Sequence, residues 1–199
     1  MSWPTKLVIA SGNAGKVREF RRMFAELADP APEVLGLGDF PDAPSPDEDA
    51  DTFEGNARIK ALAAAKRLGL PALADDSGLA VDALDGRPGV HSARYAGPEA
   101  SDQDNVDKLV RALVGNTQRG AQFVCALVLV DAEGETLAEA RGEVRGTLLE
   151  APRGEGGFGY DPLFVPSGHE QTMAELDADV KNTLSHRGRA MAALADALG

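Results

Sequence analysis

A short apolar run, Lys6-Leu-Val-Ile-Ala10, stops at Ser11-Gly-Asn13 and Gly15, which predicts a buried strand closed by a glycine turn. Behind it Val17, Phe20, Met23, Phe24 and Leu27 recur at helical spacing on one face, and Asp29-Pro-Ala-Pro32 ends that helix. Strand, glycine turn and helix make an α/β opening, with the turn at the carboxyl end of the strand, where open α/β sheets commonly hold ligands. Val34-Leu-Gly-Leu37 reads as a second strand. A helix is predicted from Thr52 as N-cap to about Gly69, with Phe53, Ile59, Leu62 and Ala63 among its buried positions. The short strand Leu70-Pro-Ala-Leu-Ala74 follows. In residues 101–114, Ser101 and Asp104 have capping-box spacing, and Val106, Leu109, Val110 and Leu113 form the apolar stripe of an amphipathic helix. Residues 122–130 and 136–145 read as a hairpin around Asp131-Ala-Glu-Gly134. A last helix, capped near Ser185, carries Met191, Leu194, Ala195 and Leu198 on one face.

The chain has 199 residues, 43% of them hydrophobic, with no internal repeat and no linker long enough to separate independent domains. That predicts one domain over residues 1–199 with a real core. A net charge of −12 argues against a nucleic-acid-coating surface, which needs a basic field, but leaves room for a small anion held by a local cluster of lysines. Cys125 is the single cysteine and sits in an apolar run, so it reads as a core residue. No stretch approaches the ~20 apolar residues of a membrane span, and the N-terminus lacks the pattern of a secretory signal. A soluble, cytoplasmic protein is the expectation.

Five segments carry candidate chemistry. Asp75-Asp76-Ser77-Gly78 follows the short strand; adjacent carboxylates repel, so a fold keeps them on a solvated turn or beside a cation. Alone, these residues read as a turn, with Mg²⁺ binding the alternative. Ser11-Gly-Asn-Ala-Gly-Lys16 feeds a helix whose N–H groups and dipole, with the Lys16 charge, suit phosphate. It is not a Walker A loop, because Ala10 and Val17 stand where Gly and Ser or Thr are needed. Asp47, Glu48, Asp49 and Asp51 precede the Thr52 helix, with Asn56 and Lys60 one and two turns in. Acid at a helix start is favourable in itself; the functional alternative lets one carboxylate, Glu48 first, reach the same metal as Asp75 or Asp76, with Lys60 on phosphate. Gly154-Glu-Gly-Gly-Phe-Gly-Tyr-Asp-Pro162 permits close backbone approach and offers Phe158 or Tyr160 for stacking on a flat ring, or else is a structural turn. Lys181-Asn-Thr-Leu-Ser-His-Arg187 is rich in donors suited to ring carbonyls or phosphate, although a lone His186 also serves as a cap or surface residue. His91 and His169 have no partner at zinc spacing.

With these segments and the run from Ala74-Asp-Asp-Ser-Gly78 to Gly89-Val-His-Ser-Ala-Arg-Tyr-Ala-Gly97, the chain resembles the Ham1 family from Leu7 to about Leu198. These are the inosine/xanthosine triphosphate pyrophosphatases. The resemblance implies an elongated mixed α/β sheet flanked by helices, two lobes with a nucleotide cleft between them, and a homodimer. It implies hydrolysis of ITP, dITP and XTP to the monophosphate and pyrophosphate with Mg²⁺. Matched residue by residue, Ser11, Gly12, Asn13, Ala14, Gly15 and Lys16 are the phosphate loop and Lys60 a further phosphate contact. Glu48 and Asp76 serve the metal with Asp75 nearby, Asp76 is also the proton acceptor, and Ser77 binds substrate. Phe158, Gly159, Tyr160, Asp161, Lys181, His186 and Arg187 match the base-binding set. Ser11 stands where Thr is also common and keeps the hydroxyl; His91 stands where Tyr is frequent.

The expected reaction is attack of water at the α-phosphorus, with Asp76 either taking the proton or holding the metal. Donors facing the 6-oxo group would reject adenine, whose amino group leaves donor against donor; GTP shares that oxo group, so rejecting it needs a feature at position 2. The alternatives are a Maf-type nucleotide pyrophosphatase and a non-catalytic nucleotide sensor, and the sensor has little use for Glu48, Asp75 and Asp76 together.

Overall fold

A computed structural model of the chain describes residues 3–177, 180–181 and 184–199. Its main elements are β1 (Lys6–Ile9), α1 (Ala14–Leu27), β2 (Glu33–Gly36), α2 (Phe53–Leu68), β3 (Ala72–Val81), α3 (Asp102–Ala112), β4 (Gly120–Val130), β5 (Thr136–Leu148), β6 (Phe164–Pro166) and α4 (His186–Leu198). The six strands form one sheet in the order β2-β1-β3-β4-β5-β6. β1 runs parallel to β2 and β3, whereas β5 and β6 are antiparallel, so the sheet is mixed and the α/β class expected from sequence holds. The chain divides into two compact units: Met1–Asp76, Cys125–Gly142 and Gly188–Gly199 make the first; Ser77–Val124 and Glu143–Arg187 make the second.

In the first unit, successive strand residues face opposite sides of the sheet. Leu7, Ile9 and Leu73 pack with Val17, Phe20, Met23 and Phe24 of α1 and with Met191, Leu194 and Leu198 of α4. Val8, Ala10, Ala72 and Ala74 take the other side and meet α2. Burying Phe20 or Phe24 fully contributes ~2–3 kcal/mol each, enough to fix α1 on its face. Leu27 continues that stripe in sequence but lies in the last turn, outside the cluster and exposed. Asp29-Pro-Ala-Pro32 ends α1 as expected, and Cys125 is fully buried in this core.

α2 and β3 differ from the sequence expectation. On α2 the buried positions are Phe53, Asn56, Ala57, Ala61, Ala64 and Ala65, whereas Leu62 is exposed and Ile59 and Ala63 are only half-buried. Alanines let the helix settle closely on the small side chains of Val8, Ala72 and Ala74, so the larger apolar residues do not mark its inner face. The strand placed at 70–74 runs on to Val81, so Asp75-Asp76-Ser77-Gly78 lies inside β3 and not on a solvated turn.

The second unit has its own core, in which Leu79, Val81, Val106, Leu109, Leu113, Phe123, Tyr160 and Phe164 are buried together. α3 starts with the capping box read from sequence: Ser101 Oγ accepts from Asp104 N at 3.2 Å, and Asp104 Oδ2 accepts from Ser101 N at 2.9 Å. Ser101→Ala is expected to cost about 1 kcal/mol of stability, the usual loss on removing an N-cap hydroxyl, measurable by urea unfolding with an unchanged denaturant slope.

Candidate active site

Because Asp75 and Asp76 are neighbours on a strand, they project to opposite sides of the sheet. Both are buried. Asp75 continues the side of Leu73 and receives Lys16 Nζ from the start of α1, at 3.2 and 3.0 Å from its two carboxylate oxygens. Asp76 continues the side of Ala72 and Ala74, where α2 supplies Lys60 Nζ at 3.1 Å and Asn56 Nδ2 at 3.3 Å. Alternation therefore separates two carboxylates that sequence makes adjacent, and each gets a lysine of its own. The parallel βαβ connections place Lys16 and the segment after β1 at the carboxyl end of the strand, as expected.

Lys60 joins a third acid. Its ammonium also lies 3.2 Å from Glu48 Oε2. Burial favours the neutral amine, but the charges of Asp76, Asp75 and Glu48 outweigh it and hold the Lys60 pKa above its ordinary value. Burial raises the Asp76 pKa above the usual carboxylate range; Lys60 opposes this, Glu48 repulsion adds to it, and the Asn56 hydrogen bond opposes it. A buried carboxyl with a raised pKa is suited to accept a proton near neutral pH.

A pocket of about 200 Å³ is lined by Ser11, Gly12, Lys16, Glu48, Lys60 and Asp75, together with Ala10, Leu37 and the Pro44-Ser-Pro46 segment. Asp76 is not among these lining residues and meets the pocket through Lys60. Asn13 is the N-cap of α1, and its Oδ1 accepts from Gly15 N at 2.8 Å and Lys16 N at 3.1 Å. Asn13 N donates in turn to Ser11 Oγ at 3.2 Å, so three of the loop's N–H groups are taken within the loop, and Asn13, Ala14 and Gly15 stay outside the pocket lining. The acidic segment, which composition alone makes a flexible loop, is tied down: Asn56 Oδ1 accepts from Ala50 N at 3.0 Å. At Gly55 a Cβ would come within 2.6 Å of Ala50 Cβ, so glycine is what lets the segment lie against α2.

Among the described residues no three or more His, Cys, Asp and Glu side chains come together as a ready-made metal cage. Mg²⁺ needs less, since one or two carboxylates with phosphate oxygens complete its shell. Glu48 and Asp76, already gathered by one ammonium, are hard oxygen donors of the right kind, and Asp75, on the other side of the strand, lines the pocket together with Glu48.

The remaining candidates belong to the second unit. Ser77 follows in β3 and is half-buried. Asp161, buried, accepts from Lys181 Nζ at 2.6 Å and from Phe158 N at 3.0 Å. Phe158 is 52% exposed, with Lys181 Nζ 5.5 Å and Arg187 Cζ 5.9 Å from its ring centroid. His186 is buried, its ring stacked on Phe123 at 5.0 Å. Tyr160 is a core residue whose hydroxyl donates to Ser92 O at 2.9 Å, so of the two aromatics only Phe158 is exposed. Asn182 and Thr183 of the donor-rich motif lie outside the described residues.

Sequence reading gave Asn56 no role of its own; its position one turn before Lys60 on α2 was the available signal. The lining by Pro44, Ser45 and Pro46 had none, because a proline-rich acidic stretch looks the same whether it is pinned or free.

A family model described as the Ham1 family matches residues 7–197. A dITP/XTP pyrophosphatase of Exiguobacterium sp. is 53% identical over 186 residues, covering 94% of this chain and 93% of that protein. One of Geobacter sulfurreducens is 52% identical over 198 residues, covering 98% and 97%. The solved structure of a HAM1 protein from Coxiella burnetii superposes with a TM-score of 0.89 at 40% identity, covering 98% of each chain.

Proposed function

The chain belongs to the Ham1 family, and from that premise we propose how it hydrolyses non-canonical purine nucleoside triphosphates such as ITP, dITP and XTP to the monophosphate and pyrophosphate. Water attacks the α-phosphorus and Asp76 accepts its proton. Lys16 and Lys60, with Ser11 and Gly12, bind the triphosphate oxygens and stabilise the charge that develops on them; positioning and electrostatics of this kind supply most of the catalysis in phosphoryl transfer. The observation that carries this reading is the Asp76–Lys60–Glu48 group. It combines a buried carboxyl of raised pKa with an ammonium able to serve phosphate, beside a pocket lined by a second lysine.

Mg²⁺ is the cation this donor set suits: Glu48 and Asp76 would hold it, with Asp75 of the pocket lining in support, and when bound it would neutralise triphosphate charge and orient the phosphates. For Lys60 to reach phosphate it must leave the two acids, and that frees the Asp76 carboxylate for water. On the base side, Phe158 supplies the stacking face, while Lys181 and Arg187, with His186 beside them, supply donors for the 6-oxo group. Ser77 contacts the substrate beside Asp76, and Gly159 and Tyr160 support the base contacts through the loop backbone they fix.

A homodimer and a cytoplasmic location complete the proposal, the first from the family resemblance and the second from a sequence whose single cysteine can form no internal disulfide. No helix among the described residues is long and apolar enough to cross a membrane.

The test is pyrophosphate release from ITP, dITP, XTP, GTP and ATP measured side by side. kcat/KM for the inosine and xanthosine substrates is expected to exceed that for ATP at least ~100-fold, because an amino group at position 6 leaves buried donors unmatched. Equal rates on ATP would sink the donor argument.

A further inference from the structure

We propose that Asp102, in the first turn of α3, is a positioning residue for recognition of the base, an inference that rests on the assignment of Phe158, Lys181 and Arg187 to that role. The loop 154–162 has four glycines and no regular secondary structure, and Gly157 and Gly159 adopt left-handed backbone with φ of 77° and 59°. A chain of this composition holds one conformation only if it is anchored. Its anchors are specific. Phe158 N donates to Asp161 Oδ2, Tyr160 Oη to Ser92 O, and Gly156 N to Ala174 O at 3.1 Å. A further anchor is Asp102, whose Oδ2 accepts from Gly159 N at 2.8 Å, the residue next to the exposed Phe158.

An acid in the first turn of a helix is favourable in its own right. That accounts for an acid at 102 but not for this contact, because the start of α3 is already capped by the Ser101–Asp104 box. Asp102 is instead turned to a backbone N–H in another segment, and a charged acceptor makes the stronger kind of hydrogen bond. Asp161 and Asp102 thus hold consecutive amides, Phe158 N and Gly159 N, from two directions. Asp161 also holds Lys181, so the ring and the donor beside it are fixed as one group. Without Asp102 the left-handed Gly159 is free to move, and the nucleotide must order the loop each time it binds.

The effect should therefore fall on binding and not on the chemical step. Asp102→Ala is expected to raise KM for dITP roughly tenfold, the penalty of ordering a loop on binding, with kcat within about twofold. Asp102→Asn, which keeps a side-chain oxygen as acceptor, is expected to restore most of the loss, and the melting temperatures of both variants to stay close to the parent. Phe158→Ala is measured alongside. If Phe158→Ala raises KM and Asp102→Ala does not, the anchoring role is wrong while the base assignment stands. If neither variant changes KM, the base assignment fails and takes this inference with it. Equal impairment in Asp102→Ala and Asp102→Asn would also overturn it, since only the helix-terminal charge would then matter.

Discussion

Asp76→Asn is expected to lower kcat about 1,000-fold, in the middle of the range for removing a positioned proton acceptor, while the protein melts within a few degrees of the parent. The two halves follow from the same surroundings. Asparagine keeps an oxygen for the Lys60 ammonium, and the substitution removes a charge that burial already disfavours; this offsets the loss of the Asn56 hydrogen bond, whose donor would face the new amide nitrogen. What disappears is the ability to take a proton and the negative charge that draws a cation to the pocket. The measurement pairs initial rates of pyrophosphate release from dITP with a thermal melt. A variant that hydrolyses dITP at near-parental rate would remove Asp76 from the mechanism; one that loses activity only because it unfolds would leave the fold claim wrong.

Asp76 also shows what sequence can and cannot give. The motif was plain, and so were its companions: Lys16 and Glu48 sit near helix starts that hydrophobic periodicity and capping locate, and Lys60 lies two turns into α2. What could not be read was the pairing. Whether two adjacent carboxylates lie on a turn or in a strand depends on how far β3 continues past Ala74, and that is decided by the neighbouring strands. Once the strand continues, alternation sends Asp75 to Lys16 and Asp76 to Lys60, and the repulsion that seemed to demand solvent is relieved by two separate ion pairs. The inner face of α2 was misread for a related reason: periodicity weights large apolar residues, whereas a helix that packs closely on a sheet uses alanine. The α3 capping box was legible because it is local. The contact from Asp102 to Gly159 was not, since its partners are 57 positions apart and neither residue type is unusual where it stands.

Lys60 tests the site from the opposite charge. Its ammonium is the counter-ion of both Glu48 and Asp76, whose side chains are only 33% and 10% exposed. Replacing it with methionine fills similar volume but leaves two carboxylates facing each other, and breaking such a buried pair is expected to destabilise the fold by about 3 kcal/mol. For a chain of this length that corresponds to a melting temperature lower by roughly 6–12 °C. Turnover should fall ~100- to 1,000-fold as well, through lost charge stabilisation on phosphate. Lys60→Met has a further consequence that activity alone would not reveal. In the parent, an added divalent cation must compete with the ammonium for Glu48 and Asp76; in the variant those oxygens are open to it. Millimolar Mg²⁺ without nucleotide is therefore expected to raise the melting temperature of Lys60→Met by several degrees while moving the parent little, since a cation that binds only the folded state stabilises it by mass action. An equal response of the two proteins to Mg²⁺ would mean that Lys60 and the metal do not share these carboxylates. The assignment of Glu48 and Asp76 as metal-holding residues would then have to be given up, whatever the variant's activity.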